Sequence, residues 1–149
     1  MDKVKIDTAV TLTVDTKNIS QSNKNLSVVF TDNRSDPKEK KGDPKDYVST
    51  VDIGKNITWS GAPDPNSSKP GDTVQVIFVL KKPGSSGGAD ILKENYNPGT
   101  TKAGITTVTA NIKGKNETGT ESYYVIFTVN NDNSNPYIID PQIKMSGTD

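Results

Sequence analysis

Apolar residues recur at every second position through most of this chain, the period of a half-buried β-strand. Val4, Ile6, Val10, Leu12 and Val14 share one parity, with Thr8 in the gap, and predict a long first strand. Residues 26–31 predict a second, and residues 47–53 a third through Tyr47, Ser49, Val51 and Ile53. Gly54-Lys55 reads as a tight turn into a short strand, 56–60, that carries Trp59. Residues 73–81 are apolar on both faces and predict a central strand. Residues 105–112 and 122–129 add two more. Residues 137–145 form a last strand interrupted by Pro141. Proline cannot donate to a ladder, so that strand should lie at an edge or contain a bulge.

Polar segments separate these runs. Residues 32–46 contain no apolar side chain and should form a mobile, charged surface loop. Residues 61–71 hold Pro63, Pro65 and Pro70 and read as a loop; 83–88 are rich in glycine and serine. The one helix candidate is a short turn over 89–96, with Asp90 near its start. About eight strands with turn signals between them predict an all-β fold. The expectation is a single domain over 1–149, an antiparallel β-sandwich or jelly-roll-like arrangement, with at most one short helical turn.

Composition narrows the function more than the fold. Only 30% of residues are apolar, so the core must be thin, which suits strands that bury alternate residues. Eighteen basic residues balance eighteen acidic ones. That balance argues against a nucleic-acid surface and permits dense self-association. No apolar stretch approaches the ~18 residues of a membrane span. The first fourteen residues alternate and lack the continuous apolar run of a secretory signal, so a cytoplasmic location is expected, with a signal removed beforehand as the alternative. Asn-x-Ser/Thr triplets at Asn18, Asn25, Asn33, Asn56, Asn66 and Asn116 follow from a chain rich in Asn, Ser and Thr.

The chain has no histidine and no cysteine. Ser-His and Cys-His nucleophilic pairs are therefore impossible, as are zinc and copper sites built on those ligands. Gly84-Ser85-Ser86-Gly87-Gly88 lacks the Lys-Thr of a phosphate loop. Carboxylate pairs would have to come from Glu39, in the charged loop, or from Glu94, Glu117 and Glu121, in or beside turns. Aromatic content is 6%, poor for a sugar-stacking cleft. Calcium needs only oxygen ligands, and residues 130–135 offer Asp132 among asparagines, although a hairpin turn is the plainer reading. The acids at 32, 36, 43 and 46 are offset by Lys38, Lys40, Lys41 and Lys45. Among the aromatics, Trp59, Tyr124 and Tyr137 are the candidate ligand contacts, against the plainer reading of core packing. Tyr123 and Tyr124 must point to opposite faces. No cofactor is expected.

Two stretches carry a resemblance. Residues 51–59, Val-Asp-Ile-Gly-Lys-Asn-Ile-Thr-Trp, resemble a turn-and-strand of several β-sandwich families, cupredoxins included, but the copper ligands are absent. Tyr-Tyr-Val-Ile-Phe-Thr-Val at 123–129, then a polar turn and Tyr-Ile-Ile-Asp-Pro-Gln-Ile-Lys-Met at 137–145, resembles the end of the PixA/AidA inclusion-body protein family. The similarity covers about the last two thirds of the chain, with Ile139 where the family has an aromatic. It implies a bacterial, cytoplasmic, non-enzymatic β-sandwich. The expected function is self-association or binding of another protein; the alternative is a carbohydrate- or calcium-binding module.

Overall fold

The computed structural model describes residues 4–34, 43–83 and 88–147. Eleven strands lie among them: β1 (Thr8–Val14), β2 (Val28–Asp32), β3 (Val48–Val51), β4 (Asn56–Pro63), β5 (Val74–Lys81), β6 (Tyr96–Pro98), β7 (Thr100–Lys102), β8 (Ile105–Asn111), β9 (Thr120–Val129), β10 (Tyr137–Ile139) and β11 (Gln142–Met145). They form two facing sheets, ordered β2-β1-β4-β8-β7 and β3-β11-β9-β5-β6, with β10 also paired to β9. The fold is an all-β sandwich. Both sheets keep free edges, so no barrel closes.

Alternation places the core. Thr8, Val10, Leu12 and Val14 turn inward from β1, as Tyr123, Val125 and Phe127 do from β9. Trp59, on the central strand of the five-stranded sheet, donates its indole N–H to the Tyr123 hydroxyl at 2.9 Å, joining the two sheets across the core. Phe30 and Tyr47 stack at 4.5 Å, and the Tyr47 hydroxyl donates to Asp32 at 2.5 Å. A buried ion pair, Arg34–Asp52 at 3.0 Å, ties the end of β2 to the turn after β3. Asp52 also accepts from the Ile6 N–H and the Ser146 hydroxyl.

The structure departs from the expected one at several points. The sheets are mixed, not antiparallel: β1 pairs with β4, and β3 with β11, in parallel. A period-2 pattern cannot register this, because it reports which face is buried and not strand direction. The last strand is split at Asp140-Pro141 into β10 and β11, which pair with successive halves of β9. Only β10 is an edge; β11 lies between β3 and β9. The helical turn expected over 89–96 is extended chain. Its amide donors reach across the fold, from Ile91 and Leu92 to the Glu121 carboxylate and from Lys93 to the Asn111 carbonyl. Short 3-10 turns occur instead at Lys24–Leu26 and Pro44–Asp46. The charged loop expected over 32–46 is anchored at both ends, by β2 with Arg34 and by the second 3-10 turn; its middle, 35–42 with Glu39, lies outside the described residues, as do 84–87 of the glycine run.

Candidate functional site

A cleft of about 630 Å³ opens at one end of the sandwich. Glu121 shares the inward parity of Tyr123 and Val125, so β9 carries a carboxylate into the space between the sheets. Burial of an ion is tolerable only when its lone pairs are filled. Here one oxygen accepts the Ile91 and Leu92 N–H groups at 2.6 and 2.8 Å, and the other meets the Lys81 ammonium at 3.2 Å. Lys81, from the end of β5, also donates to the Leu92 carbonyl at 2.8 Å and to Asp90. Lys113 closes on the other Asp90 oxygen. Lys82, Lys93 and Asn95 complete the polar lining.

The electrostatics keep Lys81 and Asp90 charged. Burial alone would lower the Lys81 pKa, but Asp90 and Glu121 outweigh it and hold it above the ordinary lysine value. Lys113 and then Lys81 hold the Asp90 carboxyl below the ordinary range. Both shifts run away from neutrality, opposite to the tuning that general acid–base work requires.

A second, smaller cavity of about 230 Å³ lies beside the 130–135 turn and is lined by Thr16, Asn130, Asp132, Asn135 and Tyr137 among others. Asp132 is used locally: one oxygen accepts from the Ser134 N–H and hydroxyl at 3.2 and 2.6 Å. Asp72 holds this corner together by accepting from Thr16 and Asn130 at 2.7 and 3.0 Å. Among the described residues, no group of three or more acidic side chains is placed to hold a metal.

A third feature is the outer face of the six-stranded sheet. Phe78 pairs with Ile126 and Ile126 with Ile138; Leu80 pairs with Tyr96 on one side and Tyr124 on the other. These outward side chains form two apolar rows across β10, β9, β5 and β6. Tyr96 is 54% exposed and Ile138 43%. The Phe78 and Tyr96 rings lie 5.3 Å apart. At one margin Lys82 sits over the Tyr124 ring at 5.5 Å and pairs with Asp140 at 3.0 Å.

The residues singled out from sequence are dispersed. Trp59 is fully buried and lines neither cavity. Tyr124 lies on the outer face. Tyr137 is buried, stacks on Phe127 at 5.4 Å and shares the small cavity with Asp132. Glu121 is the second residue of β9, just past the 114–119 turn, with its side chain buried. The Lys81–Glu121–Asp90–Lys113 cluster was not singled out from sequence, though one signal for it exists: a glutamate at a core-facing parity of an apolar strand.

With 97% of this chain and 98% of the other superposed, one solved structure decides the fold. The chain shares its fold with an inclusion body protein, PixA. That crystal structure, from Burkholderia cenocepacia J2315, matches with a TM-score of 0.63 at 12% sequence identity. No family model and no curated protein matches the chain. The PixA match spans the whole sandwich, including the N-terminal third that the sequence resemblance left out. No helix among the described residues is long and apolar enough to cross a membrane.

Proposed function

We propose that this PixA-like protein is non-enzymatic and works by associating with copies of itself in a bacterial cytoplasm. The observation that carries the reading is the apolar outer face of the six-stranded sheet. A contiguous apolar patch on a soluble chain marks a contact surface. A second copy fits it better than a charged partner does. The chain is formally neutral, and the margin of the patch carries one cation and one anion, Lys82 and Asp140, so two copies can meet without like-charge repulsion. Pairing through the β6 and β10 edges that flank this face is a poorer route. The edge strands β6 and β10 have three residues each, β6 ends in Pro98, and β10 is bounded by Pro136 and Pro141.

The size of the face sets the strength. Four strands about 4.8 Å apart, each contributing about three residues of about 3.3 Å, present roughly 200 Å². That is under half of the about 800 Å² per partner in a standard stable interface. The association is therefore weak and concentration-dependent, suited to a protein that works at high local density. Absence of catalysis is supported by the cleft's central pair, Lys81 and Asp90, which hold each other charged.

Sedimentation velocity over a concentration series tests this with the Tyr96→Glu and Ile138→Lys variants, both at exposed positions. The wild-type coefficient should rise with concentration up to about 100 μM, the range expected of an interface this small, and the variants should stay monomeric. A wild-type chain that remains monomeric throughout contradicts the proposal.

A further inference from the structure

The cleft at the end of the sandwich is not accounted for by self-association. It lies between the sheets, meets the outer face only at its margin, and its charge is unlike that of the chain. Three lysines, Lys81, Lys93 and Lys113, line it against two carboxylates, Asp90 and Glu121. A fourth, Lys82, turns its ammonium outward to Asp140 and the Tyr124 ring. Lys81 has its donors filled by Glu121, Asp90 and the Leu92 carbonyl. The remaining two differ. Lys113 has one carboxylate partner, Asp90, and Lys93 has none among the described residues. Both residues line an open cavity large enough for a small metabolite-sized ligand.

Asp90 shows what such a place accepts. It is 54% exposed, yet two lysines converge on its two oxygens. An exposed carboxylate held this way is an internal anion in a cationic recess, and a ligand bearing several anionic oxygens can compete with it.

The geometry points to a binding site for a small free polyanion, with phosphate or carboxylate groups, held by Lys93, Lys113 and the Asn95 amide in competition with Asp90. The ligand adds charge-assisted hydrogen bonds to ammoniums that lack a full set of partners. Removing the internal competitor should strengthen binding and removing either lysine should weaken it, a pair of opposite signs that general surface attraction does not produce.

The test is titration of the full chain with inorganic pyrophosphate and, separately, citrate at low ionic strength, followed by amide chemical shifts. Saturable shifts at Lys93, Asn95 and Lys113 are expected with one or both. Lys93→Ala and Lys113→Ala should each weaken binding about tenfold, the scale of one charge-assisted hydrogen bond, and Asp90→Asn should tighten it. Lys93 makes no ion pair among the described residues, so its substitution leaves the folded state intact as an internal control. Lys102→Ala, exposed on β7 at the opposite end of β8 from Lys113, should change nothing. Absence of saturable binding to both probes, an equal loss in Lys102→Ala, or unchanged or weaker binding in Asp90→Asn would each overturn the assignment. So would binding to phosphatidylglycerol vesicles with none to the free ions.

Discussion

Glu121 is a polar side chain on which the fold's internal order depends. Its carboxylate replaces a helix as the acceptor for the Ile91 and Leu92 amides and fixes Lys81. Glu121→Gln leaves a buried ammonium short of its counter-charge and should cost about 3 kcal/mol in urea unfolding, whereas Glu94→Gln, on the surface, should stay within about 0.5 kcal/mol. A near-zero effect at Glu121 would mean that the loop closes without it. Asp52 gives the pH dependence. Burial pushes its pKa up, but bonds from Ser146, the Ile6 N–H and Arg34 outweigh that and hold it below the ordinary value. A depressed folded value means stabilisation that is complete above about pH 4 and lost as pH falls through the folded value. Thermal midpoints should therefore drop on acidification below about pH 4, and Asp52→Asn should be less stable at neutral pH with a shallower acid slope. At this scale the sequence was only partly readable. The parity of Glu121 with Tyr123 was visible in it, but the partners on residues 91 and 92 were not, because thirty residues separate them. The Trp59–Tyr123 bond was hidden for the same reason.

Strand positions were readable wherever one face is apolar, as in β1, β5, β8 and β9. The elements that escaped lack that contrast. Tyr96-Asn97-Pro98 and Thr100-Thr101-Lys102 carry no apolar alternation, yet they form β6 and β7, because β5 and β8 supply ready ladders. Gly99 joins these two strands where the chain passes from one sheet to the other. A Cβ there would lie 2.6 Å from the Thr106 methyl and 3.0 Å from the Val76 and Ile77 carbonyls. Gly99→Ala should destabilise by about 2 kcal/mol through overpacking, while Gly147→Ala, with open space around it, should be neutral. Equal stability of the two variants in chemical unfolding would show that this crossing is loose. Pro141 shows the opposite limit. The sequence marked it as an interruption, and it is one, but only the pairing register revealed that its two sides serve the same neighbour, β9.

For the whole molecule, the all-β class was readable from period and composition, and the mixed strand order was not. Order depends on which strands meet across long connections, such as β3 with β11, and nothing local encodes it. The apolar outer face lay in the same blind spot. Phe78, Leu80, Tyr96, Tyr124, Ile126 and Ile138 occupy four strands and become one patch only once registers are set. The apolarity of both faces of β5 suggested a central strand; the structure assigns one face to the core and the other to this patch. The most direct measurement is the dependence of backbone amide chemical shifts on protein concentration. Dilution should move the amides of β5, β6, β9 and β10 around the outer-face residues and leave the five-stranded sheet unchanged. Shifts that are absent over the whole concentration range, or that fall on β1, β2 and β4 instead, would contradict self-association through this face.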